Sequence, residues 1–281
     1  MNIGWATVCG GASALTTLRE IKYEPGTKSL VANPVEELIG LRTSSLANIT
    51  APITIPAGTT SEVPGTKGVD AAASADVLVN FDLPADGSAA IFGVCVLVGP
   101  ITNATTGEPL EQLQLQREVR EGGPWRPEGL CGDSGNSSGI PVLANLSAVD
   151  ENGARAGTVS IGGTNTMGGH PVFITVEKGI SVFDIRVLVD RCIVEAFLMG
   201  GRHSFTSMGP QDVAERSKGA VPGVPGTAIM LMGHTDVTVN SVEVWEIGCG
   251  WTDPPYMGFG PTASAMEQSL QVEGRTVKYW G

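Results

Sequence analysis

The clearest alternation of apolar and polar residues lies between Ser181 and Ser207. Every second residue of its first half is apolar, namely Phe183, Ile185, Val187 and Val189. Asp184 and Arg186 fall on the opposite side. A period of two is typical of a strand with one buried face. The pattern predicts this strand, a second strand from Ile193 to Met199, a turn at Gly200-Gly201 and a third strand after it.

A hairpin and a short helix are predicted near the N-terminus. Residues 17–23 alternate like a strand, and the turn sequence EPGT separates them from a second short strand at residues 29–31. Asn33 is then placed to cap a helix in which Pro34 takes the first position, and which ends near Arg42.

Two strands and, further along, a last pair of strands are predicted. The two strands lie within residues 75–99, and the second of them, Ala90 to Val98, is apolar on both faces, as is typical of a strand inside a sandwich. Thr227 to Met232 and Val237 to Ile247 form the last pair. Residues 46–68 are rich in Thr, Pro and Gly and predict an exposed connection, and residues 100–156 predict long loops.

Composition favours an all-β chain. The 281 residues include 38 Gly and 18 Pro but only 5% aromatic residues, which describes short strands joined by many turns. With 17 Lys and Arg against 29 Asp and Glu, the net charge of −12 argues against nucleic acid and anionic membrane surfaces as partners. The longest apolar stretches are shorter than the roughly 20 residues that span a bilayer, so no membrane partner is predicted.

Cysteines and histidines give no metal pattern. The five cysteines are widely separated, and His170, His203 and His234 lack the spacing of zinc ligands, so no metal and no cofactor is predicted. Buried free thiols are the expected state, with one or two disulfides as the alternative in an oxidising compartment. Four Asn-x-Ser/Thr triplets would suit a glycosylated surface if the protein is secreted: Asn48, Asn103, Asn136 and Asn145. The sequence from Met1 has no basic segment ahead of its apolar residues and therefore predicts no secretory signal.

One string carries a family resemblance. Ile185 to Phe197 reads IRVLVDRCIVEAF and is followed by Gly200-Gly201-Arg202 and Thr206-Ser207. This resembles the C-terminal β-sandwich of glycoside hydrolase family 32, the invertases and other fructan-active β-fructofuranosidases, whose corresponding string is VDRSIVEVF. Cys192 replaces the serine of that string.

Two further segments agree in order. Residues 18–42 are similar to the segment that leaves the family's catalytic propeller and enters its linker helix, and residues 237–247 are similar to its final strand. The resemblance implies three regions. Residues 1–45 are a remnant of the last propeller blade with the linker helix, residues 46–248 are a β-sandwich with insertions at about 100–170, and residues 249–281 are an irregular tail.

The resemblance also implies what this chain lacks. The family's catalytic carboxylates belong to an N-terminal propeller, and the motifs that carry them do not occur here, so no catalytic residue is predicted. The chain is expected to be the C-terminal part of a β-fructofuranosidase-like hydrolase, a two-sheet antiparallel sandwich of jelly-roll or concanavalin-like form that is inactive alone. Its expected partners are a catalytic propeller, as a domain or subunit, and fructose-containing saccharides, and its expected location is extracellular or vacuolar.

Two sets of residues were open to functional interpretation. Asp190, Arg191 and Glu195 surround a tight strand junction and predict a structural cluster that fixes the turn by charge-assisted hydrogen bonds. Trp125 lies in a Gly- and Pro-rich loop and is the aromatic residue predicted to contact sugar.

Two other functions stay open: a stand-alone, lectin-like carbohydrate-binding module, which fructan binding would support, and a purely structural domain. The N-terminal segment is expected to leave Trp5, Leu18 and Ile21 with too few apolar partners, which marks an interface or an aggregation hazard.

Overall fold

The regular secondary structure of the described residues consists of strands and a short helix. The computed structural model describes residues 1–7, 13–66, 72, 74–98, 131, 139–162, 171–190, 193–208, 228–248, 270–272 and 275–277. The chain divides into two compact units, Met1–Ile247 and Gly248–Gly281. The strands are β1 (Trp5–Thr7), β2 (Ser13–Leu15), β3 (Arg19–Glu24), β4 (Ser29–Pro34), β5 (Arg42–Ile49), β6 (Ile53–Ile55), β7 (Thr59–Glu62), β8 (Ser74–Asp82), β9 (Ala90–Val98), β10 (Ile140–Leu146), β11 (Arg155–Ile161), β12 (Val172–Val176), β13 (Val182–Asp190), β14 (Ile193–Leu198), β15 (His203–Met208), β16 (Ala228–Gly233), β17 (Val237–Ile247), β18 (Leu270–Val272) and β19 (Arg275–Val277).

Two large antiparallel sheets form the body of the first unit. One has six strands in the order β12-β11-β10-β9-β16-β7, and the other has the order β15-β14-β13-β8-β17-β5, with β6 also paired to β17. The predicted all-β, two-sheet antiparallel sandwich is therefore confirmed. Its apolar faces pack together as sheets of this kind require.

The core lies between the two sheets. Its large side chains come from both of them, and each of these is less than 2% exposed: Phe81, Phe183 and Ile185 from one sheet, and Phe92, Leu146 and Ile161 from the other. The ring of Phe92 lies between those of Phe81 and Phe183, at centroid distances of 4.6 and 5.4 Å. The alternation from Phe183 to Val189 therefore does mark a buried face.

A second, smaller apolar cluster lies around β9, β10 and β16. Its buried residues are Cys95, Cys131, Leu143, Ala228, Met230 and Met232. Cys95 and Cys131 form a disulfide with their Cα atoms 5.8 Å apart. For these two cysteines the disulfide, and not the buried free thiol, is the state found.

Two pairs of strands that follow each other in the sequence are divided between the two large sheets. β8 and β9 each belong to a different sheet, and so do β16 and β17. The predicted pairing of the last two strands is therefore wrong, because β16 pairs with β7 and β9 while β17 pairs with β5, β6 and β8.

The predicted exposed connection at residues 46–68 is also wrong in part. This segment contains the end of β5 together with β6 and β7, and both Ile55 and Val63 are fully buried. Short strands among prolines carry a loop-like composition, yet their alternate apolar residues reach the core.

The N-terminal hairpin forms as β3 and β4, paired from Arg19↔Pro34 to Glu24↔Ser29. The helix after it is a 3₁₀ helix, Glu36–Leu41, preceded by Val35 as its cap residue. Asn33 does not cap it, since Asn33 and Pro34 belong to β4. In the second unit β18 and β19 form an antiparallel pair. No helix in the described part of the chain is long and apolar enough to cross a membrane.

Candidate functional site

The outer face of the seven-stranded sheet carries a row of neighbouring side chains across five strands. In register, Trp245 of β17 lies beside Asp76 of β8, then Leu188 of β13, Glu195 of β14 and Thr206 of β15. We call this surface the polar face. Two of its members are carboxylates with very low exposure, 1% for Asp76 and 3% for Glu195. Buried carboxylates need partners, and both have them.

Glu195 is held by the segment that enters the N-terminal hairpin. One carboxylate oxygen, Oε1, accepts a hydrogen bond from Nη2 of Arg19 at 2.6 Å, and the other accepts one from the backbone N–H of Thr17 at 2.6 Å. The guanidinium of Arg19 also donates to the hydroxyls of Ser204 and Thr206, at 3.0 Å each. The carboxylate is thus neutralised and hydrogen-bonded on both oxygens, which is the condition for a stable buried ion pair.

The turn between β14 and β15 forms the second contact with the hairpin. The backbone N–H of Ala32 donates to the carbonyl of Gly201 at 2.7 Å, and the side-chain amide of Asn33 donates to the carbonyl of Gly200 at 2.8 Å. Gly201 has φ +84°, and a Cβ there would lie 2.3 Å from Oδ1 of Asn33. Only glycine allows the hairpin to approach this closely. Asp184 accepts from the N–H of Gly200 and steadies the same turn.

Asp76 is the centre of a second charged cluster. Arg186 donates to both of its carboxylate oxygens at 2.8 Å, and Arg42, which follows the 3₁₀ helix, donates to Oδ2 from Nε at 2.9 Å and from Nη2 at 2.6 Å. The guanidinium of Arg42 also lies 5.4 Å from the ring centroid of Trp245. Two cations on one buried carboxylate attach the segment after the hairpin to the centre of the sheet.

The predicted structural cluster is only partly described. Glu195 forms a buried ion pair, but its partner is Arg19, 176 residues away in the sequence. Asp190 is exposed at the end of β13. Arg191 lies outside the described residues, so its contribution to the turn stays a prediction. Trp125 also lies outside them, and its contact with sugar stays a prediction.

Sequence reasoning missed Arg19, Arg42 and Asp76. Arg19 and Arg42 stood within the family-like segment at residues 18–42, but nothing there indicated which carboxylate each would meet. Asp76 could have been suspected from one signal, a charged residue within the strongly apolar run of β8. Such a residue is expected to have a partner or a role.

The two buried carboxylates of the polar face are each paired with arginine. Retaining glycoside hydrolysis needs two carboxyl groups about 5 Å apart and free to face substrate. Asp76 and Glu195 are instead each occupied by arginine. Within the described ranges no three His, Cys, Asp or Glu side chains are grouped to hold a metal ion.

The hairpin carries apolar side chains on its exposed surface. Tyr23 and Leu30 face each other across β3 and β4 and are 60% and 65% exposed, and Ile21 is 37% exposed. We call these three residues the apolar strip. Leu18 is also 37% exposed, in keeping with the expectation that this segment lacks apolar partners. The side chain of Trp5 is outside the description.

The fold and this face define a class: a two-sheet antiparallel β-sandwich with an N-terminal hairpin anchored to one sheet by buried ion pairs. No family model matches the sequence. No curated protein matches it either.

Solved structures do match. The chain superposes on fructan 1-exohydrolase IIa from Cichorium intybus with a TM-score of 0.56 at 17% identity, covering 88% of this chain and 44% of that one. A variant of the same enzyme in complex with 1-kestose gives a TM-score of 0.55 with the same identity and coverage. Sucrose-6-phosphate hydrolase from Lactobacillus gasseri gives 0.43 at 11% identity, with 88% and 38% covered. The resemblance to glycoside hydrolase family 32 is therefore confirmed in the fold, and the chain spans less than half the length of these enzymes.

Proposed function

We propose that this chain is the C-terminal β-sandwich part of a family 32 β-fructofuranosidase-like enzyme. In this role it supports a catalytic β-propeller, borders its substrate cleft and is inactive alone. The observation that carries the proposal is the docked hairpin. Its base is fixed to the polar face by the Arg19–Glu195 pair, while the apolar strip stays exposed to solvent.

The exposed apolar side chains of the hairpin support its interpretation as the end of another domain. A two-stranded hairpin is at best marginally stable by itself, and this one leaves Tyr23 and Leu30 more than half exposed. Strands that close a propeller blade would bury such residues against the rest of the blade. The fold match supports the same proposal, since 56% of the fructan exohydrolase chain has no counterpart here (100 − 44).

The first test is the transcript upstream of Met1. We expect an in-frame coding sequence there that contains a propeller and the family's Asn-Asp-Pro-Asn type nucleophile motif. An in-frame stop codon directly before Met1, with no propeller gene encoded nearby, would overturn the proposal.

The second test uses the apolar strip in the longer protein. Tyr23→Ser with Leu30→Ser should lower the temperature at which hydrolysis of sucrose or fructan is lost, because the strip would no longer bury apolar surface against the propeller. Val149→Ser is the matched control, since Val149 is 42% exposed and lies on the loop after β10. Equal loss in both variants would remove the strip from the interface.

A lectin-like role is the second candidate, and one observation favours it. Phe173 on strand β12, at the end of the six-stranded sheet, is 85% exposed, and an exposed aromatic ring can stack on a sugar. Calorimetric titration of the chain with inulin or levan tests this. Saturable binding that Phe173→Ala abolishes would support it, and no heat of binding would exclude it for these fructans.

A further inference from the structure

Two of the four Asn-x-Ser/Thr triplets lie in the described residues, and they differ in their surroundings. Asn48-Ile49-Thr50 is at the end of β5, the last strand of its sheet, and both Asn48 and Thr50 are exposed. Neither side chain has a hydrogen bond or ion pair within the described part of the chain. A large group attached to Asn48 would therefore displace nothing that the fold needs.

Asn145 is placed less favourably. It lies in β10, between β9 and β11, with Ile91 and Thr158 as its register neighbours, and it is half-buried. An attached sugar would have to lie flat along the outer face of the six-stranded sheet. Asn48 is thus the better acceptor of the two, and Asn145 serves as its internal comparison.

The disulfide indicates the compartment. Disulfides persist in oxidising surroundings such as the secretory pathway, and they are rare in reducing cytosol. Cys95 and Cys131 form one within a buried apolar cluster. The secretory pathway is also where oligosaccharides are transferred to Asn-x-Ser/Thr triplets. The pairing of the cysteines points to that pathway, and the exposure of Asn48 is an independent observation that leaves the acceptor amide accessible there.

We propose that Asn48 carries an Asn-linked oligosaccharide. The donor is a lipid diphosphate-linked oligosaccharide. The amide nitrogen of Asn48 forms a bond to C1 of its first N-acetylglucosamine, the bond from C1 to the diphosphate oxygen breaks, and the lipid diphosphate leaves. The amide nitrogen loses one proton in the exchange.

The position of Asn48 leaves the hairpin contact clear. β5 and β15 are the two ends of the sheet, five strand spacings apart, which is roughly 24 Å at about 4.8 Å for each spacing. The glycan would therefore cover the β5 side of the sandwich while the hairpin occupies the β14–β15 side.

The test is secretion of the chain from a eukaryotic host, followed by peptide mapping with and without peptide N-glycosidase. We expect the peptide containing Asn48 to be converted to its Asp form in most molecules. Thr50→Ala should abolish this conversion, whereas Thr50→Ser keeps the hydroxyl and should retain it. Ser147→Ala tests Asn145 and should leave the Asn48 peptide unchanged.

The outcomes are distinct. A secreted, disulfide-bonded chain whose Asn48 peptide is unmodified overturns the proposal, as does equal modification of that peptide in Thr50→Ala and in the unaltered chain. Should Thr50→Ala fail to be secreted, Asn48→Gln gives the same comparison by the loss of one glycan from the mass of the intact protein.

Discussion

At the scale of single residues, the polar face depends on two buried carboxylates and three arginines. Glu195 faces Arg19, and Asp76 faces both Arg42 and Arg186. A buried pair adds little stability compared with an apolar pair of equal volume, but removal of one member leaves a charge without compensation. These groups therefore determine where the N-terminal segment docks more than they add to overall stability.

Glu195→Gln keeps the volume of the side chain and removes its charge. We expect the free energy of unfolding to fall by about 3–5 kcal/mol, because Arg19 would be left as an uncompensated, largely buried cation. Urea denaturation measures this.

Glu20→Gln is the control for this variant. Glu20 pairs with Lys22 on the surface, with side chains 44% and 60% exposed, so the change should stay below about 1 kcal/mol. A loss for Glu195→Gln no larger than that of Glu20→Gln would show that the buried pair does not hold the segment.

Titration of the His203 imidazole should make the free energy of unfolding depend on pH. Burial lowers its pKa below the ordinary value of 6.5, with Arg202 contributing and Glu177 opposing. The unfolded chain therefore binds more protons than the folded chain just below pH 6.5. The stability that the neutral imidazole of His203 contributes is fully present above pH 6.5. It is lost as the pH falls through the lowered folded-state pKa.

The urea concentration at the unfolding midpoint should fall between pH 7.5 and pH 5 in the unaltered chain. The fall should be smaller in His203→Gln. An NMR titration of the imidazole protons would place the folded-state pKa directly. A titration midpoint above 6.5 would contradict the sign of the shift.

At the scale of elements, the hairpin depends on contacts with the sandwich for its stability. β3 and β4 pair over six residues, but the contacts that orient them come from Glu195, Gly200 and Gly201 of the sandwich. Local opening of such an element costs less than global unfolding. The hairpin and the sheet should therefore respond differently to the loss of one contact.

Arg19→Ala should speed amide hydrogen exchange across residues 20–34 at least about tenfold, because loss of about 1.4 kcal/mol or more of docking energy gives that factor. Exchange in β8 and β13 should change far less. Lys22→Ala is the control, since Lys22 is exposed on the same strand. Equal acceleration in both regions would mean that the hairpin and the sandwich open as one unit.

At the scale of the whole molecule, the two large sheets enclose the main apolar core, and the buried charges of the polar face lie outside it. The described carboxylates of the polar face are occupied by arginines or backbone N–H groups. The outer face therefore holds the N-terminal segment of the same chain.

The chain alone should not release reducing sugar from sucrose, inulin or levan above a buffer blank, because loss of a catalytic carboxylate pair costs orders of magnitude in rate. A colorimetric assay over hours is sufficient. Release that Asp190→Ala or Glu195→Ala abolishes would place an active site on this chain.

The amino-acid sequence by itself determined several of the strands and their buried sides, although the strands within residues 46–68 and 140–146 escaped it. The alternation from Phe183 to Val189, the apolar run of β9 and the turn before Ser29 are local, and side-chain period and turn chemistry are readable within a few residues. The motif around Asp190 also indicated the fold that the structural comparisons confirmed.

Only the tertiary structure decided which strands share a sheet and which charges meet. β16 and β17 follow each other in the sequence, yet each pairs with strands far away in the chain. Arg19 and Arg42 reach Glu195 and Asp76 because docking of the hairpin and pairing of β5 bring them there. Periodicity describes the direction of a side chain from its own strand, whereas the partner of a buried charge depends on the packing of the whole chain.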